Sequence, residues 1–441
     1  MKRGESNMMD TESTVPSTDD TLLKKMYPND LKLRQVQMVF RHGDRTPIVK
    51  WNPYEPTQET ISKEEAKPDL KKILDWVCED DYGKEQELIT DISKESLNTR
   101  TCEAGDLTRL GKYQHQRIGA AMRSIYVDRL GFLPRDLDPS VLSLRSTDVK
   151  RTKQSMQNQL STLYPRTSDQ PLATEESYSG MPITIRRDPK EATLQSETLY
   201  IDHSCGRVRE LMKEFSQSEY NKEFVKRERE PLEKELSFYL SQKDEKGRNR
   251  SMTEDRSQDA TAAWSQRRSE CSRHSAQTDV WEVFNRLEKV VSNTWWMPYS
   301  RSAELAKLGI GRLVGEISTA MQDKVEGRST TKLALYSGHD STIAPLLGAF
   351  KITDGLHWPP YASNIRFELF EREKKEEPSH LVRILFNNRL VQLPACREQW
   401  VEGQLGEGEF CPLKRFNEIA DELKPKNYAE ECERKLPRGS S

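Results

Sequence analysis

Cysteine is scarce in this chain, long apolar runs are absent, and neither sign of charge is in excess. Seven cysteines among 441 residues are an odd number and too few for a disulfide-built scaffold. They also lack the paired spacing of a zinc site, because the nearest pair, Cys396 and Cys411, flanks an acidic stretch without histidine. No metal and no cofactor are expected. No window approaches the ~18 apolar residues of a membrane span, so none is expected. The 69 Lys+Arg face 71 Asp+Glu, a net charge of -2, which removes any whole-molecule reason to bind nucleic acid or an anionic membrane. A local basic pocket remains allowed. Residues 1–30 are polar, without the apolar core of a signal peptide. They read as a disordered lead-in, and the chain as written reads as cytosolic.

What the chain does have is charge. Charged residues reach 32% and hydrophobic residues only 34%, where roughly 25% charged is usual, so much of the length belongs to solvated helix or loop. The remainder still suffices for a core. Three strand-like runs each stop at a polar cluster. Leu31, Leu33, Val36, Met38 and Phe40 lead into RHGDRTP at 41–47; Val141, Leu142 and Leu144 lead into RSTD at 145–148; Leu333, Ala334, Leu335 and Tyr336 lead into SGHD at 337–340. Helical patterns follow the last two, with Thr147 or Asp148, and Asp340 or Ser341, as caps. Strand, polar turn and helix make the α/β unit, whose strand carboxyl ends converge on a crevice. A further helix is predicted between Thr108 and Tyr126, with Gly111 and Gly119 permitting close packing.

From 166 to 329 the chain turns to charged, helix-favouring sequence, read as a helical cap inserted into an α/β domain formed by 31–165 and 330–432. Within it, 241–274 is a polar loop almost free of core-forming residues. After the insertion, Ile365 to Phe370 and Leu381 to Phe386 are predicted as an antiparallel hairpin. An edge strand around Ile365 to Phe370 offers one surface for a homodimer.

The chemistry concentrates at the strand ends. His42 sits between Arg41 and Arg45, permanently charged neighbours that disfavour imidazolium and keep the ring neutral and nucleophilic. The guanidinium groups suit a phosphate, which they hold bidentately while neutralising charge that develops during its transfer. Gly43 would let the ligand approach the backbone. At the second end His339 can donate to a phosphate oxygen and Asp340 can protonate a leaving oxygen; Arg145 at the third completes a set for phosphomonoester hydrolysis without metal. His115 reads as a surface or packing residue. His203, His274, His357 and His380 lack convergent partners. Trp295, Trp296 and Trp358 read as packing residues.

Four blocks in order, RHGDRTP at 41–47, GDLTRLGKYQH at 105–115, LRSTDVKRT at 144–152 and SGHD at 337–340, resemble the signature of the histidine acid phosphatase family. The resemblance implies a phosphoglycerate-mutase-like three-layer α/β sandwich with an inserted helical cap. It implies that His42 is phosphorylated, that Arg41, Arg45, Arg145 and His339 bind phosphate, and that Asp340 is the proton donor. Within the family, CEAGDLT, IYVDRLGFLP and WPPYASNIRFELFE are most similar to 2-phosphoxylose phosphatases and lysophosphatidic acid phosphatases. Cys102, Cys205, Cys396, Cys411 and Cys432 match cysteines of the former group, which implies a secretory lineage and a Cys396–Cys411 bridge, against the cytosolic reading of the chain as written.

The leading expectation is therefore a metal-independent acid phosphatase acting on a small phosphomonoester through a phosphohistidine. Two others stand beside it. A phytase-like inositol-phosphate phosphatase would share the His42 and Asp340 blocks but want an excess of basic residues from the cap, where basic and acidic residues alternate here. A catalytically silent member would keep the site as a phosphate-binding module.

Overall fold

The computed structural model describes residues 14–46, 105–186, 197–235, 278–352, 358–372 and 377–433. The polar loop expected at 241–274 lies outside them. Strand β1 (Leu31–Arg41) is buried on both sides, because alternate residues serve two cores. Val36, Met38 and Phe40 enter one cluster and Val39 the other. Strands β2 (Leu142–Ser146) and β4 (Leu333–Gly338) lie parallel in the same sheet, with β4 between β1 and β2. The two-residue strand β3 (Thr184–Ile185) extends the sheet beyond β2. On the other side of β1 follow the antiparallel strands β5 (Asn364–Arg372), β6 (His380–Phe386), β8 (Gly406–Pro412) and β7 (Val401–Gly403).

One face is covered by α1 (Asp20–Met26), α2 (Arg109–Met122) and α3 (Lys150–Leu163), whose Leu23, Ile118, Met156 and Leu160 pack with Met38, Leu144 and Leu335. The other face carries α7 (Gly311–Val325), α8 (Asp340–Ala349) and α9 (Leu413–Leu423), with Leu313, Ile343, Leu346 and Phe416 against Ala334, Phe367 and Ile384. The result is a three-layer α/β sandwich. The long α5 (Thr278–Arg301) and short α6 (Ala303–Gly309) pack on α8, while α4 (Gly206–Gln217) lies beside α6. Leu313, Val314, Ile317 and Met321 of α7 belong to the sandwich core.

Two expectations are corrected. The lead-in is not disordered from residue 14 onward: Asp19 caps α1, Leu23 and Met26 are buried, and Asn364 Nδ2 donates to the Thr14 carbonyl at 2.8 Å. Strand β5 is not an edge and offers no pairing surface, since it pairs with β1 on one side and β6 on the other. Its polar positions, Arg366 and Glu368, are buried. Glu368 is matched to Arg383 at 2.7 Å, and Arg383 to Glu409 at 2.8 Å. Among the described residues the strands that end the sheet's main path, β7 and β3, are three and two residues long, short enough to resist edge-to-edge pairing.

Candidate active site

Register brings the three polar clusters to one place. Phe40 pairs with Ser337 and Arg41 with Gly338 across β1 and β4, and Ser146 pairs with Ser337 across β2 and β4. The chain leaves all three strands at the same level. The first residues beyond are tied together, His42 N–H donating to the Gly338 carbonyl at 3.0 Å and Thr147 N–H to the Ser337 carbonyl at 3.2 Å. The His42 and His339 rings consequently lie edge to face with centroids 5.6 Å apart. Gly43 is demanded by packing more than by a ligand: a Cβ there would stand 2.3 Å from the Gly111 carbonyl oxygen, so the loop seats directly on the start of α2.

His42 Nδ1 lies 2.8 Å from the Gly43 carbonyl. A carbonyl only accepts, so Nδ1 carries the proton and Nε2 keeps a free lone pair. His339 opens α8 as its N-cap and takes part in a capping box with Thr342, while its Nε2 is 2.9 Å from Thr147 Oγ1. Asp340, the first residue of that helix, forms an ion pair with Arg41 at 2.7 Å. Arg41 is fully buried, its guanidinium 4.3 Å from the Tyr361 ring centroid and bonded to the Pro359 carbonyl.

The electrostatics follow from burial among cations. His42 is held well below the ordinary histidine value by burial first, then by Arg151, Arg41, His339 and Arg45. His339 falls to about 3 by burial and Arg151, against an opposing pull from Asp340. Burial among cations thus favours the neutral form of both rings. Burial would raise the Asp340 carboxyl, but Arg41, Arg45, His339 and the Ser341 amide together hold it below its usual value.

Arg145 does not join this group. Its guanidinium is bound by Glu197 and Glu316 and bonds Thr198 Oγ1 at 2.6 Å, so its charge is already matched. The arginine that stands by the two histidines instead is Arg151, in the first turn of α3, whose charge acts on both His42 and His339 and whose own pKa is lowered to about 10 by burial and Arg45. A signal for Arg151 was present: α3 opens on Lys150 and Arg151 with no acidic residue in its first turn, against the helix dipole. A cation belongs there when an anion is to be held. Among the expected site residues, then, the structure brings together His42, His339, Asp340, Arg41 and Arg45, and leaves Arg145 outside.

Residues 32–387 match the model of the histidine phosphatase superfamily, branch 2. The chain belongs to that family. Among curated relatives of this branch-2 histidine phosphatase chain is counting factor 60 of Dictyostelium discoideum, 27% identical over 419 residues that span 91% of this chain and 88% of that protein. Human prostatic acid phosphatase is 26% identical over 416 residues, 91% and 88% of the two chains. The 2-phosphoxylose phosphatase 1 of Xenopus tropicalis is 22% identical over 440 residues, 96% and 81%. Hafnia alvei phytase superposes with a TM-score of 0.58 at 14% identity, covering 93% of this chain and all of that one. That likeness establishes the shared fold.

Around the family site, His115 is a packing residue: buried behind Phe40 with centroids 5.1 Å apart, its Nδ1 3.2 Å from Gln159 Oε1. Trp296 and Trp358 are buried, and Trp295 stands edge-on to Trp358. Tyr361 and Tyr200, which carried no sequence signal, border His42 at 5.8 Å and His339 at 6.3 Å between ring centroids. The Cys396–Cys411 bridge is formed, and a second joins Cys205 to Cys432. No helix among the described residues is long and apolar enough to cross a membrane.

Proposed function

We propose that this protein is an acid phosphatase that hydrolyses small phosphomonoesters through a phosphohistidine on His42. The observation that carries the reading is His42 itself, its Nδ1 committed to the Gly43 carbonyl and its ring set among Arg41, Arg45 and Arg151. Nε2 attacks phosphorus in line and the ester oxygen departs with a proton from Asp340. The arginines hold the phosphoryl oxygens as charge moves onto the leaving oxygen. In the second step water attacks the phosphohistidine, Asp340 takes its proton, and phosphate leaves with His42 neutral again.

Asp340 needs the substrate in order to act as an acid. Its carboxyl is held down chiefly by the Arg41 and Arg45 charges, and a phosphate dianion on the same arginines neutralises them. Its pKa therefore rises on binding, which gives an acid-shifted pH dependence without a metal ion at the leaving oxygen.

A single phosphate fits the charge of the site better than a polyphosphate. Arg145 is consumed by Glu197 and Glu316, and Arg186 of the inserted block is bonded to Glu316 at 2.6 Å, so both of these further cations are already matched by carboxylates. The two disulfides favour a protein folded in an oxidising compartment. A substrate panel in EDTA, comparing an aryl phosphate, a phosphosugar, lysophosphatidate, phosphotyrosine and phytate at pH 5, tests the reading. Turnover of monoesters ahead of phytate is expected. Phytate turned over fastest would favour the polyphosphate alternative, and phosphate binding without any turnover would favour a silent binding member.

A further inference from the structure

Beneath the site lies a buried carboxylate that the chemistry above does not use. Glu197 is 1% exposed, and its Oε1 accepts the next two backbone amides, Thr198 N–H at 2.7 Å and Leu199 N–H at 2.8 Å, as well as Arg145. Two consecutive amides on one oxygen fix a turn. That turn points the Leu199 carbonyl at Thr342, whose hydroxyl donates to it and in exchange accepts the His339 N–H at 3.0 Å. An unbroken series of bonds thus runs from Arg145 on β2, through Glu197 and the 197–200 segment, to the first turn of α8, which carries both His339 and Asp340. The next residue of the same segment, Tyr200, borders the His339 ring.

We propose that Glu197 is a positioning residue, a latch that clamps the segment from Glu197 to Tyr200 onto the start of α8 and so holds Asp340 where it can reach a leaving oxygen. Arg145 is its electrostatic anchor: with Thr198 Oγ1 and Glu316 it surrounds the turn with matched charge. A buried carboxylate with this many donors is an economical clamp, because each donor also satisfies a group that burial would otherwise leave unpaired. The catalytic part of this inference rests on the phosphatase reading, whereas the clamp itself does not.

The test joins two measurements on full-length protein. The first is amide hydrogen exchange. Glu197→Ala speeds exchange at residues 198–204 and at the first turn of α8, while Glu197→Gln, which keeps a carbonyl acceptor for both amides, stays close to wild type. The second is leaving-group dependence. A misplaced acid is felt most when the departing oxygen is a poor leaving group, so Glu197→Ala lowers kcat on the order of tenfold more for an alkyl phosphate than for an activated aryl phosphate. Loss of a merely structural residue lowers both substrates equally. Should Glu197→Ala not accumulate as folded protein, Thr342→Val cuts the same series from the other end and is read by exchange at 198–204. Unchanged exchange in a folded Glu197→Ala or Thr342→Val variant overturns the latch, as does an equal loss on both substrates. Wild-type protein inactive on both phosphates would retire the phosphatase reading instead, with exchange alone then judging the clamp.

Discussion

A guanidinium in the first turn of a helix is unfavourable until an anion arrives, because the helix N-terminus is itself positive. Arg151 occupies that position beside Arg41 and Arg45 and lowers the pKa of both site histidines. Arg145, six positions earlier, has its charge matched by Glu197 and Glu316. The two residues should fail in different ways. Arg151→Ala removes a charged hydrogen-bonding partner of the phosphate, worth about 1.5–3 kcal/mol, so kcat/KM falls roughly 10- to 150-fold and inhibition by inorganic phosphate weakens alongside. Arg145→Ala breaks a buried ion pair and leaves Glu197 uncompensated, costing about 3–5 kcal/mol of stability while changing the phosphate inhibition constant little. Thermal melts and phosphate inhibition of the two variants decide it. The reverse assignment of effects would restore Arg145 as the phosphate ligand.

Elements explain what the sequence disclosed and what it concealed. Strands β1, β2 and β4 were legible because each is an apolar run that stops abruptly at arginine, histidine or aspartate, and hydrophobic patterning reports such boundaries well. The hairpin of β5 and β6 was legible for the same reason, yet its place in the sheet was not. Alternation of Arg366 and Glu368 with Ile365, Phe367 and Leu369 looks half-solvated, and only the fold supplies Arg383 and Glu409 as partners. Helix α1 was hidden by polar neighbours, although Leu23 and Met26 bury themselves against the sheet. Arg151 was overlooked because a strand end is a more conspicuous landmark than the first turn of a helix. Helix α2 was expected, but the burial of its His115, which lowers the ring to about 4, comes from packing against Phe40 and α3. That burial has a measurable sign. The folded pKa lies below the unfolded value of about 6.5, so the contribution is fully present above pH ~6.5 and is lost as pH falls toward 4. Urea unfolding at pH 7 and pH 5 should show wild type losing about 2 kcal/mol more than His115→Gln. Equal losses would mean that the imidazole is protonated in the folded state as well.

For the molecule as a whole, the near-zero net charge concealed a division of labour. Arg41, Arg45 and Arg151 gather at and beyond the ends of β1 and β2, while carboxylates such as Glu197 and Glu316 match Arg145 and Arg186 close by. The sheet aligns those ends through the β1, β4 and β2 register, and helices on both faces bury it. Disulfides fasten the outer parts, Cys205 to Cys432 tying the start of α4 to the C-terminal helix α10 (Tyr428–Glu433). What this architecture sets up, on the proposed reading, is one nucleophilic imidazole, His42 Nε2, set among arginines. Its most direct test is to trap the covalent intermediate by quenching the enzyme in alkali during turnover of a phosphate-labelled monoester, since a phosphoramidate survives base and not acid. Acid-labile label on His42 in the wild type, and none in His42→Ala, is the result expected; label that persists in His42→Ala, or a wild type that turns over without ever carrying label, would contradict the account.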